Sequence, residues 1–429
     1  MNYFSLNKKA PNTTFKDAVI KGLAPDKGLY FPESITPLPD TFFKSIDSLS
    51  YSEIAFEAIK QFVTPDIPEA VLKDIIEDTL SFDFPVEKIT DSISTLELFH
   101  GPTMAFKDVG ARFMARCLGY FNQNNTNEVT VLVATSGDTG GAVANGFLGV
   151  EGVNVVILYP SGKVSDIQEK QLTTLKKNIK ALEVHGTFDD CQAMVKRAFL
   201  DDTLTSKMQL TSANSINVAR WLPQLFYFMF AYKQLHKNYD NIVFSVPSGN
   251  FGNICAGMMA QRLGLPVKHF IAANNANAIV YNYLQTQQYE PKPSVQTISN
   301  AMDVGDPSNF VRIQELHNND FETLTKQLSG YSFTDEETIK AIEELYNEYN
   351  YIADPHGAVG YLACKSHLKN NPNDHCVFLE TAHPTKFLDV VEDTIKENID
   401  LPEQILKVMK KKKRSVEIST YGDLKTFLL

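Results

Sequence analysis

Two βαβ units of the same design predict an α/β chain built as two open, twisted domains that face a cleft. Val129 to Ala134 (VTVLVA) is short, apolar and β-branched, as a strand buried on both faces must be, and it runs into the glycine-rich loop Thr135–Gly141 (TSGDTGG). Ile242 to Val246 (IVFSV) runs in the same way into Pro247–Asn253 (PSGNFGN). A helix from Ala142 and a strand at Val153 to Tyr159 complete the first unit. A helix over Ile254 to Leu263 and a strand at Val267 to Ala272 complete the second. Ligands of such sheets bind just outside the strand C-termini, so the two loops are where chemistry is expected.

At 429 residues the chain exceeds what one hydrophobic core holds. The expected division is an N-terminal subdomain over 1–93, a smaller α/β domain over 94–225, a larger one over 226–400, and a C-terminal tail over 401–429. The first segment mixes Pro-rich turns at Pro32, Pro37 and Pro39 with a helical pattern at Val71 to Leu80, and carries no catalytic constellation. Trp221 to Tyr232 reads as a buried helix, too short to span a bilayer and carrying Pro223 and Gln224. Glu336 to Tyr349 and Ala358 to Leu368 read as helices, and Val377 to Leu379 as a short strand leading into Glu380–Phe387 (ETAHPTKF). The basic run Lys410 to Arg414 reads as a solvated charged segment.

Composition narrows the function. A net charge of −11 argues against non-specific nucleic-acid binding, which needs a surplus of cations against phosphate. It does not exclude an anionic small molecule, because a few local cations make a positive pocket. Five scattered cysteines, with no close pair, indicate a reducing compartment, and no secretory or membrane segment is seen, so a cytoplasmic protein is expected.

The loops carry the chemistry. In PSGNFGN, Gly249 and Gly252 let the backbone approach a ligand. The loop opens a helix, whose free N–H groups and dipole favour an anion, and Asn250 and Asn253 add side-chain donors. It is neither a P-loop nor a dinucleotide fingerprint, and reads best as a cup for one phosphate monoester. In TSGDTGG the hydroxyls of Thr135, Ser136 and Thr139 suit a carboxylate or a small polar group, whereas Asp138 would repel an anion; equally, Asp138 or Thr139 could simply cap the helix. Lys107, in His100–Asp108 (HGPTMAFKD), stands among Phe99, Phe106 and Phe113, and desolvation there would make its amine a nucleophile or base, although a lone lysine is usually solvated. Cys364, His367, His375 and Cys376 lack a zinc-ligand pattern and read as buried thiols and surface histidines.

HGPTMAFKD, TSGDTG, PSGNFGN and ETAHPTKF, with Ser161–Ser165 (SGKVS), Asn214–Arg220 (NSINVAR) and Asn300–Phe310 (NAMDVGDPSNF) between them, form one ordered set that resembles the threonine synthase family. Gly28–Pro32 (GLYFP) extends the resemblance to the N-terminus. It implies the tryptophan-synthase-β-like fold (fold type II), with pyridoxal 5'-phosphate held between the two domains. Lys107 would carry the cofactor as a Schiff base. Ser248, Gly249, Asn250, Phe251, Gly252 and Asn253 would hold its phosphate, and Thr381 would face the pyridine nitrogen, where a hydroxyl does not enforce protonation. The implied reaction converts O-phospho-L-homoserine and water to L-threonine and phosphate. For the substrate phosphate, Arg220 is the first choice, because a guanidinium binds phosphate bidentately, and Lys163 the second. Thr135, Ser136, Asp138 and Thr139 are expected at the substrate carboxylate, with Asn214 and Asn217 as weaker candidates. Relatives across the wider fold carry Asn where this chain has Asp138, and that Asn donates to the cofactor ring oxygen. An ionised Asp has no proton to donate, so the resemblance does not supply that contact. A monomer or homodimer acting on a small molecule, without nucleic acid or membrane, is expected.

Two rivals stand beside this reading. A dehydratase or phospholyase would share every step up to loss of phosphate. A non-catalytic nucleotide-binding α/β protein would need a dinucleotide fingerprint or P-loop, and neither is present.

Overall fold

The computed structural model describes residues 1–123, 128–135 and 137–429. Its strands in chain order are β1 (Asn2–Ser5), β2 (Thr13–Thr14), β3 (Tyr30–Pro32), β4 (Val86–Lys88), β5 (Ile93–Glu97), β6 (Val129–Ala134), β7 (Val153–Pro160), β8 (Ile179–Val184), β9 (Gln209–Ser212), β10 (Ile242–Pro247), β11 (His269–Asn274), β12 (Leu328–Ser332), β13 (His375–Glu380) and β14 (Val416–Ile418). They form a three-stranded antiparallel sheet β2-β1-β3, a six-stranded sheet β12-β11-β10-β13-β5-β4 and a five-stranded sheet β14-β8-β7-β6-β9. The five-stranded sheet is parallel throughout, and the six-stranded sheet is parallel except for β4 against β5. Every residue of β6 and β10 is buried, which explains why both read as unbroken apolar runs rather than as alternating strands.

The expected α/β architecture is present, with differences at the element ends. The helix after TSGDTGG begins at Asp138 rather than Ala142, so Gly140 and Gly141 are helical. The helix after PSGNFGN begins at Gly252 and ends at Arg262. The helix expected over Val71 to Leu80 spans Glu69–Thr79, after Pro68. The stretch expected as one helix over Trp221 to Tyr232 is broken into Val218–Trp221, a 3-10 turn at Leu222–Gln224 and Leu225–Leu235. Pro223 lacks the N–H a continuous helix would need there.

Two placements differ from the expected division. β5 belongs to the six-stranded sheet, so the segment after it, 98–106, is the crossover from that sheet to the helix Lys107–Asn122 beside the other. The C-terminal segment 401–429, expected as a tail, supplies β14 to the open edge of β8, satisfying backbone groups that an edge leaves unpaired. Lys413, within the basic run expected to be solvated, bonds Glu169 at 2.6 Å and Glu183 at 2.7 Å and is only partly exposed.

The N-terminal subdomain supports the segment that follows β9. Asn217 donates to Val19 O at 2.8 Å, and the fully buried Arg312 donates to Tyr30 O at 3.1 Å and to Ile216 O at 2.6 Å. The Phe31 ring stacks on Trp221 at 6.1 Å between centroids.

The helix Gly252–Arg262 packs so tightly against its neighbours that Gly257 has no room for a side chain. A Cβ there would stand 2.6 Å from Phe228 and 2.7 Å from Phe270. Gly257→Ala is therefore expected to lower stability by about 1–3 kcal/mol, read from the urea midpoint. An unchanged midpoint would show that these rings yield freely.

Candidate active site

The sheet order decides which residues meet. β5, β13 and β10 are adjacent, so the segments that leave them converge: Lys107 after β5, Thr381 after β13, and Ser248–Asn253 after β10. β6 and β9 are neighbours in the other sheet, and beyond their ends stand Thr135–Asp138 and Asn214–Arg220.

Lys107 is the first residue of its helix. The segment before it is laid along the end of β13. Leu98 N donates to Glu380 O at 3.0 Å, Phe106 N to Thr381 O at 2.9 Å, and His383 N to Met104 O at 3.1 Å. The Tyr227 hydroxyl donates to Phe106 O. The Lys107 side chain is half-buried, its amine 5.5 Å from the centre of the Phe106 ring. Burial lowers its proton affinity below the usual lysine value; Asp138 and Asp354 oppose this, while Lys386 and Arg220 reinforce it.

The loop after β10 presents a row of open backbone donors at a helix start. The backbone N–H groups of Gly249 through Asn253 find no protein acceptor among the described residues, and Phe251 takes a left-handed conformation at φ 61° to open the helix. A Cβ on Gly249 would stand 2.8 Å from Ala301 O, so the close packing here depends on glycine. The side chains mostly shape the cup: Ser248 donates to Val246 O at 2.7 Å, and Asn253 to Pro247 O at 2.8 Å. Asn253 is thus not the side-chain donor expected from the sequence. Asn250 accepts from Ser308 N at 3.0 Å, which ties in the Asn300–Phe310 segment.

Across the cleft, Arg220 is buried, and burial lowers its affinity for a proton to about 10. Its Nε and Nη1 have no partner among the described residues, an uncommon arrangement for buried donors. It approaches the Lys107 helix closely because Gly110 is there. A Cβ on Gly110 would lie 2.5 Å from Arg220 O. Thr381 is buried at the end of β13. Lys163 is not part of this cluster. It is exposed on the turn between β7 and the helix Asp166–Thr173, with Asp190 as a charged neighbour.

Asp138 neither caps its helix nor stands as a bare anion. Its carboxylate pairs with Lys386 at 2.7 Å and accepts from Gln168 at 3.1 Å. Burial alone would raise its proton affinity, but the charges of Lys386 and Lys107 outweigh this and bring it down to about 2. Thr135 is occupied as well: its hydroxyl accepts from Gly137 N at 3.1 Å and Gly140 N at 2.9 Å, fixing the loop rather than facing a ligand. Thr139 is half-buried, and the N–H groups of Asp138 and Thr139 have no acceptor among the described residues. Ser136 lies outside the described residues. Asn214 has a buried carbonyl oxygen without a partner among the described residues, while Asn217 is consumed as a helix cap on Ala219 N at 3.0 Å and as the tie to Val19.

Residues without a local signature complete the site. Lys386 stands inside ETAHPTKF, but nothing in that segment says that its ammonium turns back to Asp138 and to Thr103 O, 2.7 Å away. Behind Thr381, Asp354 accepts from Ala382 N at 3.2 Å and pairs with His356 at 2.5 Å. Its N–H donates to Glu380 at 2.5 Å. Burial, and then the Asp354 carboxylate, push the Glu380 carboxyl well above the usual range. The cysteine and histidine set discounted as zinc ligands stands at the opposite end of β13, where His367 pairs with Asp374 at 2.9 Å and His375 with Ser94 at 2.9 Å.

Family models match in three parts: the threonine synthase N terminus over residues 2–80, the pyridoxal-phosphate dependent enzyme over 94–381, and the threonine synthase C-terminal region over 357–427. The chain is 43% identical to the threonine synthase of Haemophilus influenzae over 406 residues, 94% of either chain. The crystal structure of threonine synthase from Escherichia coli superposes with a TM-score of 0.93 at 40% identity, covering 100% of this chain and 99% of that one. The pyridoxal-phosphate-bound threonine synthase of Brucella melitensis superposes with a TM-score of 0.94 at 33% identity, covering 100% of this chain and 98% of that one.

The raised proton affinity of Glu380 carries a pH signature. Unfolded, its carboxyl ionises near the ordinary value of about 4.3. Its raised folded value means that the stability it contributes is full below that pH and is lost as pH rises through the folded value. Glu380→Gln, neutral at every pH, should gain stability relative to the parent as pH rises from about 4 to 8, by urea unfolding. A difference that stays flat with pH would mean that Glu380 is ionised in the fold.

Proposed function

The chain belongs to the threonine synthase family of pyridoxal-phosphate-dependent enzymes, and from that premise we propose that its cleft converts O-phospho-L-homoserine and water to L-threonine and phosphate, with Lys107 as the catalytic lysine. The observation that carries the assignment of the site is two sets of donors without a protein acceptor among the described residues: the five N–H groups of Gly249–Asn253, and Nε and Nη1 of the buried Arg220. Cofactor and substrate each bring a phosphate, so the site must hold two.

In this reading Ser248–Asn253 holds the cofactor phosphate through backbone donors at a helix N-terminus, Lys107 anchors the cofactor, and Thr381 offers a hydroxyl to its ring nitrogen. When bound, pyridoxal phosphate supplies an electron sink for the pair left on the substrate Cα. Lys107 Nζ, half-buried and with lowered proton affinity, takes and later returns the Cα proton. Arg220 binds the substrate phosphate and stabilises it as it leaves. The free N–H groups of Asp138 and Thr139, with the Thr139 hydroxyl, receive the substrate carboxylate. Pairing with Lys386 keeps the Asp138 charge from repelling that carboxylate. The Arg220 guanidinium, more deeply buried than the exposed Lys163, takes the phosphate role ahead of it.

A cytoplasmic setting accords with five free, buried cysteines, and among the described residues no helix is long and apolar enough to cross a membrane. The same reading takes the chain to act on a small molecule, as a monomer or homodimer, without nucleic acid.

Purified protein supplied with pyridoxal phosphate and O-phospho-L-homoserine is expected to release phosphate and threonine in equal amounts. Phosphate accompanied by 2-oxobutyrate would make it a lyase instead. Lys107→Ala should fold yet lose turnover and covalent cofactor; substantial residual activity would remove Lys107 from its role. Arg220→Met should cost about 10- to 100-fold in kcat/KM, the scale of a lost hydrogen bond to a charged group.

A further inference from the structure

We propose that Lys386 is a positioning residue for this reaction: its ammonium clamps the Asp138 carboxylate and the Thr103 carbonyl together, and so fixes where the Lys107 amine stands and which charges face it. This rests on the reading of Lys107 as the cofactor lysine.

Three observations carry it. The Lys386 side chain is fully buried and Asp138 4% exposed, yet they come from opposite walls: Asp138 begins the helix after β6, and Lys386 lies just beyond β13. Their 2.7 Å contact is a tie across the cleft, and water is excluded from it. The second contact of Lys386, to Thr103 O at 2.7 Å, falls in the crossover that delivers Lys107. Gln171 donates to the same carbonyl at 3.1 Å and Gln168 to Asp138 at 3.1 Å, both from the helix Asp166–Thr173, so the clamp is held from a third side.

The charges around Lys107 give the clamp a sign. Facing its amine are Asp138 on the helix after β6, Lys386 beyond β13, Arg220 on the helix after β9, and Asp354 ahead of the helix Pro355–Leu368. Facing Lys386 itself are also Asp108 and His383. Lys386 does two things to Lys107. It repels a proton there directly, and it holds Asp138 in a pair, so that this carboxylate attracts the proton less. Both favour the free amine that displacement and Cα deprotonation require. A purely structural strut would have no such directional effect on Lys107.

The test is reductive methylation of Lys107 by formaldehyde and a hydride donor in the full cofactor-free chain, read by mass spectrometry of the Lys107 peptide across pH. Only the neutral amine reacts. Lys386→Gln should slow labelling at about pH 8 by about tenfold, and Asp138→Asn should speed it, since opposite charges have opposite effects. In the Asp138→Asn background, where no unpaired carboxylate threatens folding, adding Lys386→Gln should again slow labelling. Circular dichroism checks that each chain is folded. Equal rates in folded variants, or shifts of the same sign from the two single substitutions, would overturn the proposal. Failure of the underlying reading shows elsewhere, as retention of covalent cofactor by Lys107→Ala.

Discussion

The site depends on the hydrogen-bonded run that lays residues 98–106 against the end of β13. Leu98, Phe106 and His383 donate across it, and Ala105 bridges Ala382, so the crossover continues the sheet by other means. A loop tethered only at its ends would let a lysine wander by ångströms. Here the peptide just ahead of Lys107 is bonded to the backbone carbonyl of Thr381. Because β5, β13 and β10 are adjacent, the same ladder registers Lys107 against the loop after β10. Sheet order thus becomes site geometry with no long-range device other than backbone hydrogen bonds.

Charge in the cleft is arranged by the same economy. A buried ion costs several kcal/mol unless paired or bonded, and each buried ionisable group here is treated accordingly. Asp138 is paired with Lys386, Asp354 with His356, and the Glu380 carboxyl is pushed toward its neutral form by burial. Arg220 stands apart, buried with two nitrogens that have no partner among the described residues. An unsatisfied buried cation is expensive in a resting protein and makes sense where an anion arrives. Asp138, which looked misplaced at an anion-binding loop, ceases to be so once Lys386 is beside it.

Much of this was legible along the chain. The buried parallel strands β6 and β10 announce themselves as β-branched runs, and the glycine loops after them sit at the strand ends, where parallel sheets bind ligands. Lys107, the loop Ser248–Asn253 and Arg220 were named from local chemistry together with the ordered set of motifs; in the structure the helix of Lys107 packs against Arg220 at Gly110, and the loop follows β10 in the sheet that also holds β5. The misses have a common cause. Thr135, Asn217 and Asn253 carry the right functional groups, but these are spent on Gly137 and Gly140, on Val19 and Ala219, and on Pro247. Whether a hydroxyl or amide is free is a property of its partners, many residues away or on the next turn, and no pattern in the sequence reports it.

What the sequence determined by itself is the set of elements and their chemistry: two βαβ units, an anion cup at a helix start, a lysine among aromatic rings, and enough acidic charge to disfavour nucleic acid. Those arise from local propensity and residue type, which act over a few residues. Only the tertiary structure decided the strand order that makes β5, β13 and β10 neighbours, the use of β14 to close the edge of β8, and the reach of Lys386 to Asp138 from the other wall. Such contacts join residues far apart in the chain, and they are chosen by the burial of whole sheets and the need to pair every buried charge, constraints that exist only once the chain is folded.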